Sequence, residues 1–192
     1  MTALSLTLSI TQFPYGLQSS ASIKGKPRLE FETTTNRGAF GAQNNGGGAM
    51  PPFFREGEDM YYLAYGMNTN RAAMAARCPK AKPMGGFYLP DHRLVFRGVA
   101  DFRHDIDMVL PVVAWEITHD CLRALDKLEG YPTLYDRRKV NNEWLIYDMN
   151  GNKGDLGQPS KYYYDMISEG YRDFGLDDWY LRAAAKDAEL AA

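Results

Sequence analysis

Between residues 60 and 149 the chain is written mostly in short apolar runs suited to strands, with one clear amphipathic helix among them. MYYLAY opens the series, and RLVFRGV (93–99), VLPVVAWEI (109–117), RRKV and WLIYDM continue it. Pro111 pushes its strand towards an edge or a bulge, because proline has no N–H for the ladder. The helix is THDCLRALDKLEG: Leu122, Leu125 and Leu128 mark one face, Thr118 or Asp120 can cap its start, and Gly130 stops it. Parallel βαβ repeats with helices of about 10 to 15 residues are absent, which argues against a doubly wound sheet. The class expected is α+β. At 192 residues the chain has room for one well-buried core and an appendage.

The appendage is expected at the N-terminus. LSLTLSI (4–10) and PRLEFETTT (27–35) alternate with period two, as half-buried strands do. RGAFGAQNNGGGAMPPF then reads as a linker or mobile loop. Its GGG lacks the GK[ST] of a phosphate-binding loop. Residues 1–58 are therefore expected to form a β-rich extension with a hairpin and a Gly-rich linker, and 59–192 the main domain. Within that domain NRAAMAARC predicts a short helix capped by Asn68, Thr69 or Asn70. Gly85 and Gly86 predict a break before FYLP, and the stretch from Pro159 to Leu190 predicts two helices split near Gly175.

Charge and cysteine usage narrow the function. Lys+Arg number 22 and Asp+Glu 24, a balance unlike that of a general phosphate-backbone binder. Trp115, Trp144 and Trp179 are not flanked by enough basic residues to make a nucleic-acid platform. No stretch approaches the roughly 20 apolar residues that cross a bilayer. MTALSLTLSITQF has no basic leader or long apolar run, so a signal peptide is not expected and the cytosol is the expected compartment. Cys78 and Cys121 read as buried free thiols. His104 with Asp101, Asp105 and Asp107 shows no recognised metal-ligand spacing. No GxSxG elbow appears, and Cys121 is badly placed to pair with His119 on the same helix turn. Arg137 and Arg138 could meet an anionic substrate, although outward-facing strand charge is the plainer reading.

Two local features can carry chemistry. The turn after MYYLAY, Gly66-Met67-Asn68-Thr69-Asn70, leads from a strand into a helix start and can present backbone N–H groups to a carboxylate or phosphate. Many such corners hold nothing. Glu129 is the last residue before Gly130, at a helix end whose dipole disfavours its charge by about 0.3–1 kcal/mol. Partial burial would lift its pKa further, towards roughly 6–7, where one carboxyl group serves as base and then acid. A solvated surface glutamate is the plain alternative.

Taken in order, YLAYGMNTN, RCPKA (77–81), LVFRG (94–98), LDKLEGYPTLYDRRKV (125–140) and PSKYYYDMISEGYRDFGL (159–176) resemble the γ-glutamylcyclotransferase-like family, which includes the γ-glutamylamine cyclotransferases and AIG2-like proteins. The similarity runs from about Met60 to Leu181, leaving the N-terminal extension outside it. The resemblance implies a small mixed β-barrel with peripheral helices and an enzyme without a cofactor. Its substrate would be a γ-glutamyl amine or γ-glutamyl peptide, cyclised to 5-oxoproline with release of the free amine. Glu129 matches the family's catalytic glutamate; Tyr65, Gly66, Met67 and Asn68 match its substrate-cradling YGSN loop. Tyr163 matches a tyrosine that can border the pocket.

Two departures stand against the pattern. Met67 occupies the place of the family's usual serine, and VADFRHDIDMVL replaces the conventional stretch before the apolar strand. They keep two alternatives open: a binding protein that has kept the fold and lost turnover, and a related γ-glutamyl acyl-transfer or deprotection reaction. The extension is a candidate pocket cover, homodimer contact or docking segment for a protein partner.

Overall fold

The computed structural model describes residues 60–150 and 154–191. The extension, its two expected strands and its linker lie outside the described residues. The elements run β1 (Met60–Ala64), a 3-10 turn (Met67–Thr69), α1 (Arg71–Arg77), β2 (Lys82–Phe96), β3 (Ala100–Ile117), α2 (His119–Glu129), β4 (Tyr135–Val140), β5 (Trp144–Met149), α3 (Lys161–Asp173) and α4 (Trp179–Leu190). The expected α+β content is present.

The barrel is not. The five strands form one open mixed sheet in the order β2-β3-β1-β5-β4, with β1 parallel to β5 and every other pair antiparallel. Closure would require β2 to pair with β4, and the residues at both edges oppose it. β4 reads YDRRKV, with Asp136, Arg138 and Lys139 exposed on it, and charge of this kind keeps an edge unpaired. β2 carries Pro83 and Pro90, each next to a register shift, and α4 packs against it.

One smaller expectation is also corrected. Gly85 and Gly86 do not break the chain; a register shift between Pro83 and Gly85 lets β2 run on. VADFRHDIDMVL is the outer half of β3, paired with β2 through a second shift between Pro90 and His92. Pro111 takes the edge alternative rather than the bulge: it pairs with Tyr88, beyond the Val113 that ends the register with β1, so there β3 has β2 on one side only.

The core lies where α2, α3 and α4 meet the sheet, with Leu63, Leu110, Val112, Leu125, Leu145, Ile167 and Leu181 fully buried. Thr118 caps α2 by accepting from Cys121 N, and Gly130 ends it in the left-handed region. Leu122 and Leu125 point inward, but Leu128 is 47% exposed. Steps of three residues rotate a helical face by about 60° each, so the third leucine has turned out to solvent. Glu129 is four residues from Leu125 and eight from Cys121, on the buried row.

Asp126, on the same helix, ties α2 to the sheet. Its carboxylate accepts from Arg137 Nε at 2.8 Å and from the Tyr147 hydroxyl at 2.7 Å, with a second Arg137 N–H on its other oxygen. Arg138 pairs with Asp148. Both arginines are thus held in structural ion pairs. Asp126→Ala is expected to destabilise the fold by about 2 kcal/mol, since a largely buried cation and hydroxyl lose their common partner. A shift in the urea midpoint at unchanged slope is the measurement; no shift would show that the network is dispensable.

Cys78 and Cys121 are both buried and free, as expected. Burial pushes the Cys78 thiol up to about 12, so it is no thiolate at neutral pH. Among the described residues no group of three His, Cys, Asp or Glu side chains is placed to hold a metal, and no helix is long and apolar enough to cross a membrane.

Candidate functional site

The site is built where β1 ends and α1 begins. Five buried residues of β1 deliver the chain to Tyr65, and the 3-10 turn then folds it back into α1. Asn70 caps that helix by accepting from Ala73 N, which settles the cap among the three expected candidates. Turn formation uses two of the backbone N–H groups that the sequence offered to an anion. Thr69 N donates to Gly66 O and Asn70 N to Met67 O, both at 3.0 Å.

Asn68 is the hub. Its amide nitrogen donates to Glu129 Oε1 at 3.2 Å and to the Tyr62 hydroxyl at 3.0 Å, while its amide oxygen accepts from Arg77. The indole N–H of Trp115 donates to its backbone carbonyl at 3.1 Å. Asn68 is buried and held from four sides, so its two amide ends are oriented without ambiguity.

Glu129 reaches this hub from the C-terminal end of α2. Burial lifts its carboxyl from the ordinary 4.5 to about 7, against the opposing pull of the Arg77 charge and the Asn68 hydrogen bond. The expected rise is therefore present, and burial is its cause. A carboxyl near 7 exchanges protons in both directions at neutral pH.

Tyrosines wall the group in. Burial, reinforced by the Glu129 charge, keeps the Tyr62 and Tyr135 hydroxyls protonated; burial does the same for Tyr65 and Tyr163. Tyr163 stands in the first turn of α3, capped by Ser160, and its oxygen accepts from Ala100 N at 3.2 Å. A phenol accepting a backbone N–H bond has its own proton free to donate. Gly66 makes the approach possible: a Cβ there would lie 2.8 Å from the Tyr163 hydroxyl and 3.3 Å from Ala100 Cβ. Tyr65 points elsewhere, its hydroxyl donating to Tyr147 O at 2.8 Å and its ring edge-on to Phe102.

The structure thus gathers Gly66, Met67, Asn68, Glu129 and Tyr163 around one carboxylate, with Tyr65 as a buried brace beneath them. Tyr62, Arg77, Trp115 and Tyr135 belong to the same cluster and were not singled out from the sequence. A signal for Arg77 was available. Asn70, Met74 and Arg77 follow the i, i+4, i+7 spacing of one helical face, and Met74 is buried on it.

No protein-family model matches the chain and no curated protein matches it. Solved structures do resemble it. One described as a γ-glutamyl cyclotransferase is 22% identical with a TM-score of 0.58, the match covering 66% of this chain and 86% of that one. The uncharacterized protein loc79017 from Homo sapiens gives the same figures. YkqA from Bacillus subtilis is 18% identical with a TM-score of 0.55, over 69% of this chain and 55% of its own. At these identities the likeness establishes the fold, and over some two thirds of its length (66%) this chain has the fold of γ-glutamyl cyclotransferase.

Proposed function

We propose that the protein cyclises a γ-glutamyl amine or γ-glutamyl peptide, releasing 5-oxoproline and the free amine. The observation that carries this reading is Glu129, a half-buried carboxyl near 7 held by Asn68 beside a tyrosine-lined turn. The α-nitrogen attacks the γ-carbonyl carbon of its own molecule, so one C–N bond forms in a five-membered ring while the original amide C–N bond breaks. The α-ammonium gives up two protons in becoming the lactam N–H. The departing nitrogen takes up two in leaving as an ammonium. Glu129 carries these protons from one nitrogen to the other and ends as it began.

Little else is required. Intramolecular placement supplies up to about 7–11 kcal/mol of the barrier when the substrate is held folded. The Tyr163 proton, left free by the backbone bond to its oxygen, is available to the carbonyl oxygen as charge develops there.

The test is to incubate the protein with γ-glutamyl amines, γ-glutamyl-ε-lysine and γ-glutamyl dipeptides and to measure 5-oxoproline by mass spectrometry. Release supports cyclisation and ranks the leaving groups; silence across the panel removes the reading for these substrates. The pH dependence is a separate expectation. Glu129 must be ionised to take the first proton, so kcat/KM falls about tenfold per unit as pH drops below about 7. An acid limb near 4.5, the ordinary value for a glutamate, would take the role from Glu129.

A further inference from the structure

One strong donor in the site rests on a weak acceptor. Arg77, in the last turn of α1, gives one guanidinium nitrogen to the Asn68 amide oxygen and places the other 2.9 Å from the Met67 sulfur. A thioether is among the poorest acceptors in a protein, whereas a guanidinium presents a planar fork matched to a carboxylate. Two of the backbone N–H groups that could otherwise have met an anion, those of Thr69 and Asn70, are already committed inside the turn. Arg77 is the cation whose charge reaches both Glu129 and Tyr163.

The layout also matches one end of the substrate. Asn68 holds Arg77 on its oxygen and Glu129 on its nitrogen, so a cation and a carboxylate sit at the two ends of a single amide. A γ-glutamyl compound carries a carboxylate and an ammonium on a single carbon. Glu129 faces the ammonium in the reaction above, which sets the carboxylate towards Arg77.

We propose that Arg77 is the specificity-determining residue that recognises the α-carboxylate of the substrate, its guanidinium exchanging the Met67 sulfur for a carboxylate oxygen. The inference rests on the cyclisation reading for the identity of the ligand, and on the Arg77–Met67–Asn68 geometry for the role.

Product binding separates the two. Calorimetry would compare L-5-oxoproline with 2-pyrrolidinone, the same ring without the carboxylate, on the wild type, Arg77→Gln and Arg77→Lys. The wild type is expected to prefer 5-oxoproline by roughly 10- to 100-fold, the range that a hydrogen-bonded charge supports. Arg77→Gln should bring the two ligands within about threefold of each other, and Arg77→Lys should keep only part of the preference. A folded Arg77→Gln protein that still prefers 5-oxoproline overturns the assignment. So does a wild type without preference, or, should Arg77→Gln fail to fold, an Arg77→Lys protein with the full wild-type preference. A wild type that binds 5-oxoproline through Arg77 yet turns over no γ-glutamyl amide would sink the cyclisation and leave the carboxylate site standing. Turnover with the preference intact in Arg77→Gln would do the reverse.

Discussion

The Glu129→Gln protein is expected to lose 5-oxoproline release by at least about 10²–10⁴-fold, the contribution of a positioned acid–base group. At pH 8 it is also expected to melt at a higher temperature than the wild type. Both effects have one cause. The folded protein binds the Glu129 proton more tightly than the unfolded chain does, because burial has moved the group from 4.5 to about 7. The stability tied to that proton is complete below about 4.5 and is lost as pH rises through about 7, so at pH 8 the fold carries a desolvated charge. Glutamine keeps the shape and can still accept from Asn68, and it has no charge to desolvate. The gain is put at about 1–2 kcal/mol, well below full conversion of the shift because the carboxyl is only half-buried. Melting curves of both proteins at pH 5 and pH 8 are the measurement. The gap should open at pH 8 and close at pH 5. A gap of equal size at both would mean that packing, not ionisation, separates the two proteins.

The second large effect runs against helix propensity. Replacing a glycine by alanine inside a helix ordinarily stabilises it by about 0.5–1 kcal/mol. Gly170→Ala, within α3, should instead destabilise by about 3 kcal/mol. A Cβ there would lie 2.5 Å from Thr69 Oγ1, 2.6 Å from Thr69 C and 2.7 Å from Asn70 N, and the last two are backbone atoms with nowhere to go. Thr69 and Asn70 are the residues next to the hub, so the helix must withdraw or Asn68 must move. For a chain of this size the loss corresponds to a melting temperature lower by roughly 6–12 °C. Turnover should fall as well, by up to about 10²-fold for a displacement near 1 Å. A neutral or stabilising Gly170→Ala would mean that α3 does not press on the turn as described.

How far the sequence could be read depended on the range of the interactions. Local signals were legible: the apolar runs that write β1 and β5, the Thr118 cap, Gly130 as a stop, and Gly175 between two helices. Glu129 was legible too, because its four-residue step from Leu125 is a property of one helix. The sheet was not. Whether five strands close depends on which edges meet, and the two prolines of β2 and the charges of β4 act only once the strand order is known. Asn68 was foreseen as part of a substrate cradle, but its bonds to Tyr62, Trp115 and Glu129 cross 6, 47 and 61 residues. Arg77 fell between these cases: its face could be read from the helix period, and its sulfur and amide partners could not.

The bond from the Trp115 indole to the Asn68 carbonyl gives the protein a built-in fluorophore one residue from the proposed chemistry. Indole emission responds to the field along its N–H, and the neighbouring tyrosines, held neutral, add no titration of their own near pH 7. The difference in emission between the wild type and Glu129→Gln, followed from pH 5 to 9, would therefore report the ionisation of Glu129, because Trp144, Trp179 and the three histidines are common to both proteins. Quenching of Trp115 on mixing with a γ-glutamyl compound would time the arrival of ligand before any bond is made or broken.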